Sequence, residues 1–467
     1  MSRAHEAGAL HAGVGHRGPA WLRPPEDPDG LVAGLWPGNV TKTSAGVLDV
    51  AGVDVTALAR EFGTPAYVID EDDFRARCRG FREGFSGWHV YYAAKAFLCA
   101  AIVRWVAEEG LRLDVCTGGE LAAALRAGFP PERIKMHGNN KSLPELTRAL
   151  DACVGRIVVD SYDEIDRLAK LATDRGVRAS VLVRVKVGVE AHTHEYIATA
   201  HEDQKFGFSL AGGDAAHAVE RVLAEPALEL AGLHSHIGSQ IFDTSGFEVA
   251  ARRVVELHAQ VRERHGVELA ELCLGGGFGI AYTTQDDPEP PAQLAAELGA
   301  IVAHECRASG VTTLPQLSIE PGRAIVGPPV FTLYEVGTVK VVELDAKASR
   351  TYIAVDGGMS DNIRSALYDA DYSCALASRR SVAPQVLSRV VGKHCEAGDI
   401  IVKDAFLPGD VHPGDLLAVP ATGAYCRSLA STYNHVPRPP VVAVRGGEAR
   451  LVVRRETEDD LLRLDVW

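Results

Sequence analysis

A closed (β/α)8 barrel followed by a β-rich domain is the fold class this sequence predicts, and three observations predict it. Eight short apolar runs recur between residues 88 and 320, stretches of helical spacing separate them, and the texture turns to closely spaced β runs after Arg323. Strands alternating with helices argue for a parallel sheet, and eight such units argue for its closure. In order, the runs are WHVYYAA, LRL, IKM, RIVV, ASVLVRVKVG, LAGLHS, ELCL and PQLSI. Almost every reactive-looking residue sits at the C-terminal end of one: Lys95, Asp114, His137, Asp160, Arg184 with Lys186, His236, Gly275–Gly277 and Glu320. Barrel enzymes carry their chemistry on those ends, often with phosphate held after strands seven and eight, where GGGFG and EPGR stand here. The pattern is that of an enzyme holding a phosphorylated cofactor.

Along the chain, residues 1–25 are rich in Gly, Ala, Pro and His and are expected to form a mobile tail. Residues 26–62 read as a lead-in that packs with the C-terminal domain, residues 63–328 as the barrel, and residues 329–467 as the β-domain. Two barrel helices carry capping-box signatures directly after a strand, Thr117-Gly-Gly-Glu120 and Ser161-Tyr-Asp-Glu164. In the last domain, runs such as FTLYEVGTVKVVEL, SRTYIAVDGG, GDLLAVPATGAY and ARLVVRRE are split by Gly, Asp and Pro. They predict an antiparallel β-sandwich or barrel without intervening helices.

Composition narrows the class of function. The chain has 467 residues, 46% hydrophobic and 24% charged, too many for one typical domain; a barrel of ~250 residues leaves room for a second. A net charge of −14 argues against nonspecific binding to nucleic acid or anionic membrane, though a few local cations can still hold an anionic ligand. The N-terminus lacks an apolar signal-peptide core and no later run is long enough to span a bilayer, so a cytoplasmic protein is expected. Nine scattered cysteines without a CxxC pair suggest neither a disulfide framework nor a structural zinc site.

Each candidate has a plainer alternative. Lys95, in YYAAKAF, is either a solvated loop lysine or a desolvated nucleophilic amine at the barrel mouth. Gly275, Gly276 and Gly277 form a tight turn or a cradle whose bare N–H groups close on phosphate, with Ser239 as an added donor. His236 is a core histidine or a ring stacked on a flat cofactor. Glu320 and Arg323, around Gly322, are a local ion pair or take separate partners, a cationic ring nitrogen and an anion. His192, His194 and His201 invite a metal reading, but their spacing fits no defined site and a loop near the barrel mouth is preferred. Asp114 and His137 are assigned no catalytic step.

Taken together, these residues resemble the pyridoxal 5'-phosphate (PLP) enzymes of fold type III, the alanine racemase-like barrels, and among them the diaminopimelate decarboxylases. YYAAKAF, HGNNKS (137–142), HIGSQ, GGGFG, EPGR, DNIRSALY (361–368), CEAGD (395–399) and GAY (423–425) occur in the family's order, from about residue 36 to the end. The resemblance implies decarboxylation of meso-2,6-diaminopimelate to L-lysine and CO2, with PLP as electron sink. It implies that Lys95 forms the Schiff base with the cofactor and His236 stacks on its ring. Ser239, Gly275–Gly277, Gly322, Tyr425 and the Glu320–Arg323 loop would serve its phosphate and pyridine. Arg323, Arg364 and Tyr368 would hold the substrate's distal end, and Glu396 would meet the distal ammonium. Cys395 would return a proton to carbon, the adjacent Glu396 disfavouring its thiolate. Both would arrive from the partner of a homodimer, and Tyr425 would complete the site. Glu320 beside the ring nitrogen favours decarboxylation over racemisation, Arg323 disfavours an ornithine-type substrate, and the retained Lys95, Cys395 and second domain disfavour a PLP carrier.

Overall fold

The computed structural model describes residues 18–27, 29–189, 204–311, 313–345 and 348–466. The stretch holding His192, His194 and His201, and most of the expected tail, lie outside the described residues. The chain divides into two compact units: residues 75–279 with 288–325, and the described residues up to 74 with 280–287 and those from 326 onward.

The first unit is the barrel. Its strands are β1 (His89–Ala93), β2 (Arg112–Val115), β3 (Ile134–Met136), β4 (Arg156–Val159), β5 (Ala179–Lys186), β6 (Leu228–His234), β7 (Glu271–Cys273) and β8 (Gln316–Ile319). All neighbours pair in parallel, and pairing of Ser318 and Ile319 of β8 with His89 and Val90 of β1 closes the ring. Their mostly buried sequences suit strands covered on both faces.

Helix starts explain how strand ends are held. Thr117 and Ser161 each accept from the N–H three residues on, at 3.2 and 3.3 Å, as their signatures predict. Their glutamates, however, reach one residue further back: Glu120 accepts from Cys116 N–H at 2.7 Å and Glu164 from Asp160 N–H at 3.3 Å. The N–H just past each strand needs a partner, and the acid supplies it. Within the barrel a reciprocal capping box forms at Ser142 and Glu145, outside the two segments whose signatures predicted one.

The second unit is a β-structure built on the long strand Val330–Asp345. It pairs antiparallel with Ala348–Val355, Leu416–Pro420 and Ala66–Asp70. Two pairings are parallel, Ala348–Val355 with Gln385–Val391 and Ala66–Asp70 with Val441–Arg445, so the sheet is mixed rather than wholly antiparallel. A short helix, Arg364–Tyr368, also interrupts the expected helix-free run. Ala66–Asp70 lies inside the stretch expected to begin the barrel at residue 63, yet it is hydrogen-bonded between Val330–Leu333 and Val441–Val444. An entirely buried run such as AYVID fits a central strand of either unit, and only its long-range partners decide. Val40, Leu48, Val50, Val55 and Leu58 of the lead-in share one core with Val68, Phe331, Leu333 and Val442.

Candidate active site

At the barrel mouth the chemistry gathers on Glu320, one residue past β8. Its Oε1 lies 3.0 Å from His137 Nε2 and 3.2 Å from Lys135 Nζ, and its Oε2 lies 3.0 Å from His234 Nε2. The Cys273 thiol, 3.2 Å from Oε1, is pushed up by burial and then by Glu320, so it stays protonated and donates. Burial alone would raise the Glu320 carboxyl; its two histidines and Lys135 outweigh that and hold it well below the usual carboxylate range. Burial lowers His137 to about 4 and His234 to about 3, so both rings are neutral near pH 7. Lys135 is therefore the full positive charge in contact with the carboxylate. Asp114, at 3.7 Å from His137 Nε2, is pushed up by burial and next by Glu320.

Lys135, His234 and Cys273 are not among the candidates that the sequence pattern marks, and His137 carries no assigned role there. Strand parity was the available signal. Lys135 and His137 are two residues apart, the spacing that turns strand side chains to one face, and both reach Glu320 Oε1.

Beside Glu320 the backbone forms a narrow cradle. Gly275 has φ 73° and Gly277 φ 110°, both in the left-handed region that favours glycine. A Cβ on Gly276 would lie 2.1 Å from the Glu320 carbonyl oxygen, and one on Gly277 would lie 2.5 Å from that of Gly238. The Gly276 N–H donates to His236 Nδ1 at 3.2 Å, which leaves the proton of the neutral ring on Nε2. Arg323, 6% exposed, donates to Ser239 Oγ at 2.8 Å. Gly322 packs on the strand below Lys95, since a Cβ there would sit 2.9 Å from Ala93 Cβ. Lys95 itself is exposed, in the tight turn Ala94–Ala96 that ends β1.

These residues fit pyridoxal phosphate. The glycine loop brings no side chain to crowd an anion, Arg323 and Ser239 offer a cation and a hydroxyl beside it, and Glu320 is a fixed anion suited to a protonated ring nitrogen. His137, His234 and Glu320 could also present ligand atoms to a metal, lying within 4.8 Å of one another. Lys135 against the same carboxylate opposes a divalent ion.

In the β unit, Arg364 is 5% exposed, donates to Tyr372 Oη at 2.7 Å, and lies over the rings of Tyr282 and Tyr372 at 4.7 and 5.7 Å. Its Nε is buried with no hydrogen-bond partner among the described residues. Tyr368 ends the same short helix and is half-buried. Cys395 and Glu396 are exposed, but the loop beneath them is clamped. Asp399 accepts from the N–H groups of Met359 and His394, and the His394 ring bridges Ser360 Oγ at 2.8 Å and Asn434 Oδ1 at 3.0 Å. Tyr425 is half-buried at φ 62°, an uncommon conformation outside glycine.

The family model of the pyridoxal-binding domain of pyridoxal-dependent decarboxylases matches residues 71–327, more than half of the chain. The diaminopimelate decarboxylase of Mycobacterium tuberculosis is 61% identical over 93% of this chain and 98% of that protein. That of Mycobacterium leprae is 57% identical over 99% of each. Among solved structures, a diaminopimelate decarboxylase from M. jannaschii in complex with L-lysine is 30% identical, with a TM-score of 0.85 over 92% of this chain and 98% of that one.

Proposed function

Because this chain belongs to the diaminopimelate decarboxylases, within the pyridoxal-dependent decarboxylases, we propose that it attaches the cofactor through Lys95 and works on it with the residues gathered at the barrel mouth. It is a carboxy-lyase that takes meso-2,6-diaminopimelate to L-lysine and CO2, the last step of lysine biosynthesis. The observation that carries the residue assignment is Glu320, a buried carboxylate kept ionised next to a glycine cradle. When bound, the cofactor supplies a sink for the electron pair left by departing CO2. Glu320 holds the proton at the pyridine nitrogen, which strengthens that sink. His236 Nδ1 is tied to the Gly276 N–H, and this fixes the ring that stacks on the cofactor. Gly275, Gly276, Gly277, Gly322, Ser239 and Tyr425 complete its binding.

Arg364 takes the substrate's distal carboxylate, supported by its buried guanidinium with an unpartnered Nε. The hydrogen bond from Arg323 to Ser239 supports a place on the phosphate side; its share of the distal clamp, like that of Tyr368, rests on the motif alone. Cys395 delivers a proton to the substrate carbon, and Glu396 meets the distal ammonium. A homodimer whose partner brings this pair belongs to the same reading, supported by their exposure in the single chain. So does a cytoplasmic setting, supported by nine cysteines that are all free. No helix among the described residues is long and apolar enough to cross a membrane.

The test is release of CO2 and L-lysine from meso-diaminopimelate with added PLP, beside a Lys95→Ala variant and an ornithine control. Turnover of diaminopimelate alone, lost in Lys95→Ala, is expected. Mixing inactive Lys95→Ala with the weakly active Cys395→Ala should raise activity well above that of either alone; no recovery from mixed, reassembled dimers would argue against a shared site.

A further inference from the structure

We propose that Lys135 is a positioning residue for Glu320, the third member of a charge ladder, Arg156–Glu271–Lys135–Glu320, that runs through the barrel from its floor to its mouth. The proposal rests on the assignment of Glu320 to the cofactor's ring nitrogen. The ladder starts at Arg156, the first residue of β4, whose Nε lies 3.0 Å from Glu271 Oε2 at the start of β7. Glu271 Oε1 lies 3.4 Å from Lys135 Nζ in the middle of β3, and Lys135 reaches Glu320, past β8, at 3.2 Å. Ser318 braces the middle, accepting from Lys135 at 3.3 Å and donating to Glu271 at 3.0 Å.

Three features separate this lysine from an incidental buried cation. First, none of its side chain is exposed, and an isolated ammonium there would carry a heavy desolvation cost. Second, Nζ is met on every side: two carboxylates, one hydroxyl, and the Tyr91 ring 3.9 Å from centroid to nitrogen. Third, signs alternate along the ladder, so each charge is neutralised by its neighbours and the four sum to zero. Lys135 is divided between two acids, and how much of its field reaches Glu320 depends on Glu271. The floor of the barrel thereby sets the charge at the mouth. His137, His234, Cys273 and Asp114 also face this region, and Arg184 and Lys95 act from further off. They fix where titration falls, not the direction in which a broken ladder moves it.

That direction is the test, because two substitutions should move the same quantity oppositely. Lys135→Met removes the cation beside Glu320. Glu271→Gln leaves Lys135 to Glu320 alone while keeping side-chain volume. In the holoenzyme, the acid limb of kcat and the absorbance titration of bound cofactor without substrate should move up in pH for Lys135→Met and down for Glu271→Gln. Each shift should be about one unit, tenfold in protonation ratio, with KM little changed. Shifts in the same direction, or lower melting temperatures with neither the limbs nor the histidine titrations moved, would overturn the ladder. If Lys135→Met does not fold, Glu271→Gln decides alone, and a rising limb, or a limb and histidine titrations that both stay put, sinks the idea. Carbon-13 spectra of labelled histidine in the cofactor-free full chain supply an independent arm. The His137 and His234 titrations should rise in Lys135→Met and fall in Glu271→Gln. Histidines that respond while the cofactor ignores both changes would support the ladder and reject Glu320 as the partner of the ring nitrogen.

Discussion

At the barrel mouth Glu320 has four side chains within hydrogen-bonding reach, whereas in the β unit Cys395 and Glu396 are exposed and only the backbone beneath them is fixed. The first arrangement preorganises charge, the second preorganises position. Fixed charge must be neutralised locally where water is excluded, so the barrel residues stabilise the fold and the site together. An exposed thiol needs no such compensation. Its loop needs Asp399 and the Ser360–His394–Asn434 bridge to set its shape.

If that contrast holds, activity and stability should fall together in the barrel and separately in the β unit. Glu320→Gln carries the largest expected effect: kcat about a hundred- to a thousandfold lower, with about 3–5 kcal/mol lost in denaturant unfolding because the buried Lys135 loses one of its two carboxylates. Full stability with low activity would break the comparison on the barrel side. Cys395→Ala should cost activity about a hundredfold while leaving stability within about 0.5 kcal/mol; a large drop in midpoint would break it on the other. Arg364→Lys should raise KM by about tenfold and lower kcat less, as a point charge replaces a planar fork. Steady-state kinetics with meso-diaminopimelate separates the two.

The smallest effect concerns pH. His137 and His234 are lowered in the folded chain to about 4 and 3 by burial, against about 6.5 unfolded. Below about 6.5 the unfolded chain takes up protons that the fold refuses, so stability is present above that pH and lost as pH falls toward 4. Urea unfolding across this window should show that slope, and His137→Gln should make it shallower by at most one proton. An unchanged slope would mean that His137 is not buried neutral.

Much of this was legible in the sequence, for reasons that differ between elements. The eight barrel strands could be read because each is a short apolar run ending in a reactive residue. The glycine cradle was legible because three consecutive glycines leave few backbone alternatives. Lys135 escaped notice because a lysine inside IKM looks like a break in the apolar run until its acids, at positions 271 and 320, are brought alongside. Ala66–Asp70 was misplaced for the same reason, its partners lying more than 250 residues away in sequence. Periodicity reports which way a residue faces and is silent on what it meets.

That misplaced strand bears on how the protein is made. Ala66–Asp70 leaves the ribosome early but pairs with Val330–Leu333 on one side and Val441–Val444 on the other. At ordinary translation speeds, synthesis separates it from its last neighbour by on the order of tens of seconds. The barrel's mostly sequential strand pairings can form during that interval, while a largely apolar strand with two open edges waits. An unpaired edge of that kind invites association with other nascent chains. Chains truncated before residue 441 should therefore be the species that most need a chaperone.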